Sequence, residues 1–331
     1  MRTRLFMRHP GAGFHSIEGL FGAVLPHLPA AWRAELVVVP QPSRGLWPRL
    51  QNLWFCRRAA AELNHVTGDI HYVVFGLPRA RTILTIHDCG FLRKPGRLRR
   101  ALLRWLWYVL PARRVAALTT VSAHSARELR AVLGPLPVPI HVVPNCVSPA
   151  FQSQPRAFDA ACPRILVVGT QARKNLERLV RAVQGLSVRL DIIGALSPAQ
   201  QALLQACGIA YTQAADLAPE AVRARYEACD MLAFPSLDEG FGMPILEAQQ
   251  VGRPVLTSDR APLCEVAGSG ACLVDPSCEA ALRAGVQRLI DDADYRARLV
   301  EAGFRNARRY TPQAVAAQYA AVYATVQPAS D

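Results

Sequence analysis

Residues 230–252 read Asp-Met-Leu-Ala-Phe-Pro-Ser-Leu-Asp-Glu-Gly-Phe-Gly-Met-Pro-Ile-Leu-Glu-Ala-Gln-Gln-Val-Gly. The apolar run 231–235 suits a buried parallel strand. Gly240 and Gly242 permit close approaches that a Cβ would block, Pro244 fits a first helical turn, and Gly252 closes the helix. The stretch predicts strand, glycine loop and helix in one piece, which in an open α/β sheet puts a ligand at the carboxyl end of a strand. Glu239 in the loop and Glu247 about one turn inside the helix can turn their carboxylates into one crevice, where they suit hydroxyl groups. The N–H groups of Gly240, Phe241 and Gly242 would add donors for sugar or phosphate oxygens. The alternative is an ordinary strand-to-helix turn, with one acid capping and the other favoured by the helix dipole.

The same alternation runs through the chain. Strands are expected at 4–8, 36–40, 70–75, 82–86, 115–121 and 140–144. After a segment rich in proline, serine and polar residues at 145–156 they resume at 164–168, 190–193, 209–211, 231–234, 254–258 and 272–274, with helices between. That pattern means α/β architecture with parallel sheets covered on both faces. A length of 331 residues suits two domains. They are expected at 1–152 and 158–311, followed by a helical segment at 312–331.

Three loops after strands carry further candidates. Gly169 to Asn175 places Arg173 and Lys174 just ahead of a helix, a pyrophosphate site in which two cations join free backbone donors, although a basic pair in a loop is often only solvated. His9-Pro-Gly-Ala-Gly offers Gly11 and Gly13 either to a phosphate or to a tight turn, since the dinucleotide fingerprint is incomplete. His87 ends the strand at 82–86, and Asp88 beside it could fix its tautomer; a strand-capping histidine bonded to backbone is the alternative. His65 and His71 lie at no metal-ligand spacing and are read as a strand-entry loop near the cleft.

Hydrophobic content of 51% with 19% charged residues describes a globular chain, and the nine cysteines contain no C-x-x-C. No apolar stretch is long enough to span a bilayer and no signal-type leader is read, so a cytoplasmic protein, soluble or peripheral, is expected. The formal charge of +13 asks for an anionic partner. In residues 97–109, Leu98, Leu102, Trp105, Leu106 and Val109 form one helical stripe and Arg97, Arg100 and Arg104 lie to another side. This reads as a helix packed by its apolar face, or as a patch for an anionic membrane. No nucleic-acid-binding module is recognisable, and nucleic acid is not an expected partner.

The residues also carry a resemblance. Glu239-Gly-Phe-Gly-Met-Pro-Ile-Leu-Glu247 resembles the paired-glutamate motif of family 4 retaining glycosyltransferases with the GT-B fold. The loop from Gly169 through Lys174-Asn175 is similar to their phosphate-binding loop. Thr85-Ile-His-Asp88, Val121-Ser122, Val143-Pro-Asn145 and the segment 257–268 resemble further landmarks, so the likeness covers nearly the whole chain. Departures are a loop one residue shorter before Lys174, Thr170 where many members carry arginine, and Cys264 in place of a proline.

The resemblance implies two facing Rossmann-like domains and a last helix crossing back onto the first. It implies transfer of a hexose such as mannose or glucose, with retention, from a nucleotide-diphosphate sugar to a glycan or polyprenyl-phosphate-linked acceptor. Glu239 would contact the donor sugar, Gly240, Phe241 and Gly242 the sugar and phosphate, Glu247 the ribose, Arg173 and Lys174 the diphosphate, and His87 the reacting end. No cofactor and no metal are expected, the chain being read as having no Asp-x-Asp pair to bridge a cation to the diphosphate. Two other readings remain open: a basic nucleic-acid-binding α/β protein, and a sugar-nucleotide binder without turnover.

Overall fold

Two six-stranded sheets, parallel at every pairing, carry the chain. The computed structural model describes residues 1–10, 16–93 and 97–326. They fall into two units, Met1–Cys146 with Pro312–Asp331, and Val147–Thr311. Gly11 and Gly13 lie outside the described residues, so the candidate first phosphate loop does too.

The first unit holds β1 (Thr3–Met7), β2 (Ala34–Val38), β3 (Leu63–Val66), β4 (Thr82–Thr85), β5 (Ala117–Thr120) and β6 (Ile140–Val142), in the order β2-β1-β3-β4-β5-β6. The final helix, Pro312–Thr325, belongs to this unit. It buries Val315, Ala316, Tyr319 and Tyr323 among Leu5, Phe21 and Leu63.

One strand differs from expectation. Where a strand is expected at 70–75 there is a 3-10 helix, His71–Gly76, and the third strand is Leu63–Val66, within and beside the expected loop. Asn64 and His65 look unsuited to a buried strand, yet both are fully buried with their polar atoms bonded. Asn64 bonds the Ala61 N–H and carbonyl and the Arg81 carbonyl, while His65 meets Tyr323 and Thr85 side chains. Satisfied polar groups cost little to bury, so the polar letters hid the strand.

The second unit holds β7 (Arg164–Val168), β8 (Arg189–Ile193), β9 (Ala210–Ala214), β10 (Met231–Phe234), β11 (Val255–Ser258) and β12 (Cys272–Val274), ordered β12-β11-β10-β7-β8-β9. Every residue of β10 and β11 is buried, as strands covered on both faces require. The chain enters at β7, builds outward through β8 and β9, then returns to the other side of β7 with β10. The order reverses between β7 and β10, and the crevice beyond their carboxyl ends is where such sheets take ligands.

Candidate functional site

The loops that follow β7 and β10 meet at this reversal. After β7, Ala172–Lys174 forms one 3-10 turn, and Asn175 takes a left-handed conformation (φ 64°) before the helix Leu176–Ala182. The Asn175 side-chain amide is buried and donates to the carbonyls of Pro235 (3.1 Å) and Pro276 (2.7 Å), tying the loop to the ends of β10 and β12. The Leu237 N–H donates to the Arg173 carbonyl at 2.8 Å, and the Arg173 guanidinium donates to the Asp238 carbonyl at 3.2 Å.

This double stitch brings Glu239 onto the basic pair. Arg173 lies 2.5 Å from Oε2 of Glu239 and Lys174 lies 2.6 Å from Oε1. Glu239 is 8% exposed, whereas the Arg173 side chain is 44% exposed, so the carboxylate lies beneath an accessible cation. The Lys174 ammonium also stands 4.5 Å from the ring centroid of Phe234 at the end of β10. Burial lowers the Lys174 pKa, with the adjoining Glu239 carboxylate acting in the opposite sense. Gly169, at φ +91°, is required here because a Cβ would come within 2.9 Å of the Lys174 side chain. Thr170 turns away and donates to the Ala195 carbonyl at 2.6 Å, leaving Arg173 as the guanidinium of this loop.

Gly242 caps the helix Met243–Val251 at φ +116°, a conformation a larger residue would resist, and a Cβ there would meet Leu263 at 2.6 Å. Phe241 is buried edge-to-face on Tyr310, with ring centroids 5.9 Å apart, which fixes the backbone between Gly240 and Gly242. One turn into the helix, the Glu247 carboxylate accepts from the Tyr226 hydroxyl at 2.5 Å. Burial pushes the Glu247 pKa up, and the bond from Tyr226 and the charge of Lys174 oppose that rise.

The structure thus brings Gly169, Arg173, Lys174, Glu239, Gly240, Phe241, Gly242 and Glu247 together at the sheet reversal of one unit. Sequence reasoning missed Tyr226, which holds Glu247, and the clamp made by Asn175. Tyr226 stands in the last turn of the helix Pro219–Ala228, between Arg225 and Glu227, and gives no signal; Asn175 is visible as the residue ending the basic loop. In the first unit, His87 follows β4 and its Nε2–H donates to the Thr67 carbonyl at 2.9 Å. Asp88 does not orient it by the bonds observed, for its carboxylate accepts from the Gly90 N–H at 2.7 Å. Contrary to the expectation of none, the chain contains one Asp-x-Asp, Asp292-Ala293-Asp294. It opens the helix Ala293–Ala307, where Asp292 accepts from the Tyr295 N–H at 2.8 Å as a cap.

Two family models match the chain in tandem: Glycosyltransferase Family 4 over residues 14–151, and Glycosyl transferases group 1 over residues 151–306. The chain belongs to the group 1 glycosyltransferases. Within that family it is 32% identical over 237 residues to the MMP alpha-(1->4)-mannosyltransferase of Mycolicibacterium hassiacum, covering 66% of this chain and 57% of the relative. The chain thus spans little more than half the length of this curated relative.

This group 1 glycosyltransferase also shares its fold with sucrose-phosphate synthase from Thermosynechococcus elongatus (TM-score 0.79, 18% identity, 99% of this chain and 100% of that one). It matches Anabaena HepE in complex with UDP and glucose similarly (TM-score 0.76, 15% identity, 98% and 100%). These likenesses make the fold GT-B.

Proposed function

We propose that the protein moves a hexose, such as mannose or glucose, from a nucleotide-diphosphate sugar to a glycan or polyprenyl-phosphate-linked acceptor, with retention at the anomeric carbon. The observation that carries this reading is Glu239 held by both Arg173 and Lys174 beside the Gly240–Gly242 turn. A cation pair and a buried carboxylate a few ångström apart match the two ends of a sugar diphosphate: charge for the phosphates and an acceptor for sugar hydroxyls. The mannosyltransferase relative and the UDP and glucose in the HepE structure support the same class.

In this reading the bond from the anomeric carbon to the diphosphate oxygen breaks, and a bond to the acceptor hydroxyl forms on the same face. The acceptor's proton passes to the departing diphosphate, whose charge Arg173 and Lys174 stabilise. Glu239 and the Gly240, Phe241 and Gly242 amides orient the sugar. Glu247, steadied by Tyr226, takes the ribose, and His87 meets the sugar at the reacting end. No divalent metal is needed, since the cations are supplied by the chain. The protein works in the cytoplasm, at the inner face of the membrane when its acceptor is lipid-linked.

A thermal-stabilisation screen of nucleotide sugars identifies the donor, because binding to the folded state alone raises the melting temperature. Hydrolysis or transfer of the stabilising sugar, followed by NMR of the product's anomeric configuration, tests turnover and retention. No stabilisation by any nucleoside diphosphate sugar would overturn the proposal.

A further inference from the structure

The first unit exposes large apolar side chains where its sequence is most basic. On the helix Leu46–Arg58, Leu46, Trp47, Leu50 and Trp54 are 75%, 69%, 47% and 55% exposed, whereas Asn52 and Cys56 are buried on the opposite side. At 3.6 residues per turn the four exposed residues occupy an arc of about 100°. A second apolar row, Leu102, Trp105 and Leu106, is 60%, 45% and 52% exposed along Arg97–Leu103 and the π-helical turn Arg104–Val109. Of the apolar stripe read from the sequence, Leu102, Trp105 and Leu106 thus face outward, whereas Val109 is buried beside Tyr108.

The two rows belong to adjoining segments. Arg49 of the first helix stands 5.9 Å from the ring centroid of Tyr72 and 6.0 Å from that of Trp107, and Asn52 donates to the Tyr72 hydroxyl.

Charge identifies the partner. Between Glu35 and Glu62, and again between Asp88 and Glu128, the chain has no acidic residue; these stretches hold four and nine basic residues. Their thirteen cations equal the formal excess of the whole chain, +13, so the remainder is balanced. Several arginines border the apolar rows: Arg58 stacks 3.7 Å over Trp54, Arg113 lies 5.4 Å from the Trp105 ring, and Arg100 is exposed. Arg104 does not join them, since its guanidinium donates to the Val132 carbonyl at 2.5 Å.

We infer that this two-helix face docks on an anionic phospholipid surface, with Trp47, Trp54 and Trp105 at the acyl boundary and the arginines among the phosphates. Tryptophan and leucine rows flanked by arginine suit a membrane interface, where indole lies at headgroup depth and cations are attracted by anionic lipid. Among the described residues no helix is long and apolar enough to cross a membrane, so the attachment is to one leaflet. The inference does not depend on the donor site, which lies in the other unit.

The test is sedimentation of the full chain with vesicles of phosphatidylcholine containing about one third phosphatidylglycerol, against pure phosphatidylcholine, in a salt series from about 50 to 500 mM. Binding is expected on the anionic vesicles, falling steeply with salt, and weak on neutral ones. The double variants Trp47→Ala/Trp54→Ala and Trp105→Ala/Leu106→Ala should each lower partitioning about tenfold or more. Both should keep wild-type circular dichroism and wild-type thermal stabilisation by nucleoside diphosphates. Equal binding to neutral vesicles, unchanged partitioning in both variants, or a single-stranded DNA oligomer that binds as tightly and responds to the same substitutions would overturn the inference. Loss of nucleotide response in the unsubstituted protein would instead count against the transferase reading alone.

Discussion

The two units build the same kind of parallel sheet and place their polar side chains in opposite ways. In the second, ionisable groups gather beyond the strand ends: Arg173 and Lys174 converge on Glu239, and Glu247 lies behind them on Tyr226. In the first, polar groups lie inside the layer. His65 in β3 bonds the Tyr323 hydroxyl at 2.9 Å and the Thr85 hydroxyl at 2.7 Å, and Thr85 bonds Thr119 at 2.6 Å, joining β3, β4, β5 and the returning helix. One arrangement gathers paired charges beyond the strand ends and the other withdraws neutral groups from water. A shared topology therefore leaves open whether polar residues serve chemistry or cohesion, and only their position along the strand decides.

Substitutions can break that contrast. The largest effect is expected at Lys174→Ala: transfer falls about a hundred- to a thousand-fold, the range seen when one group stabilising transition-state charge is removed. Added magnesium should not restore it; activity that vanishes in EDTA and returns with magnesium in the wild type would refute the assignment of the leaving-group charge to Arg173 and Lys174. Glu239→Gln should lower turnover about a hundred-fold while changing the affinity for free nucleoside diphosphate only a few-fold, read by kinetics beside calorimetry. Equal losses in both measurements would move Glu239 from the sugar end to the phosphate end.

The interior cluster should respond to acid. Burial lowers the His65 pKa from 6.5 to about 3, with the nearby His87 acting in the same sense. Between those values the unfolded chain binds the proton and the folded unit does not. Stability is thus full above pH 6.5 and drops as pH falls, by up to about 1.4 kcal/mol per unit. Urea melts of the chain at pH 7, 6 and 5 measure this. Tyr323→Phe, which removes one partner of His65, should cost about 1–2 kcal/mol and leave nucleotide stabilisation unchanged.

The smallest effect separates stability from binding at a single residue. Because the Glu247 pKa is raised by burial, folding favours its protonated form more than the unfolded chain does. Its contribution to stability is full below the ordinary carboxylate pKa and is lost as pH rises through the raised value. At neutral pH, Glu247→Gln should therefore melt higher than the wild type, yet bind nucleotide more weakly. The thermal gain should shrink toward pH 4.

The sheet reversal was legible because it depends on residues with few other uses. A four-residue apolar strand, two glycines, a proline and two glutamates at fixed spacing gave β10 its observed bounds, Met231–Phe234. β3 was hidden because its polar residues are paired by partners as distant in sequence as Tyr323. The helix Leu46–Arg58 carries no inward apolar stripe in its sequence, since its strongest apolar face points to solvent and its buried face includes Asn52. In residues 97–109, periodicity identified the apolar row but not its direction, which tertiary packing decides. At the candidate site, the positions of Glu239 and Lys174 could be anticipated from their loops. Tyr226 as the partner of Glu247 could not, because the two lie on different helices.

The single amide of Asn175 has a consequence for anyone who would alter this protein. By donating to the carbonyls of Pro235 and Pro276, it joins three separately encoded loops at one atom. Grafting a new loop after β10 would change one face of a three-way joint, and the graft would have to return a carbonyl to the place where Pro235 now puts one. Asn175→Asp preserves shape but takes away the donor, leaving an acceptor against two carbonyls. Under the proposed function, selection for a new sugar would therefore proceed most easily through side chains that project from the joint, while the loops that form it change length together or not at all.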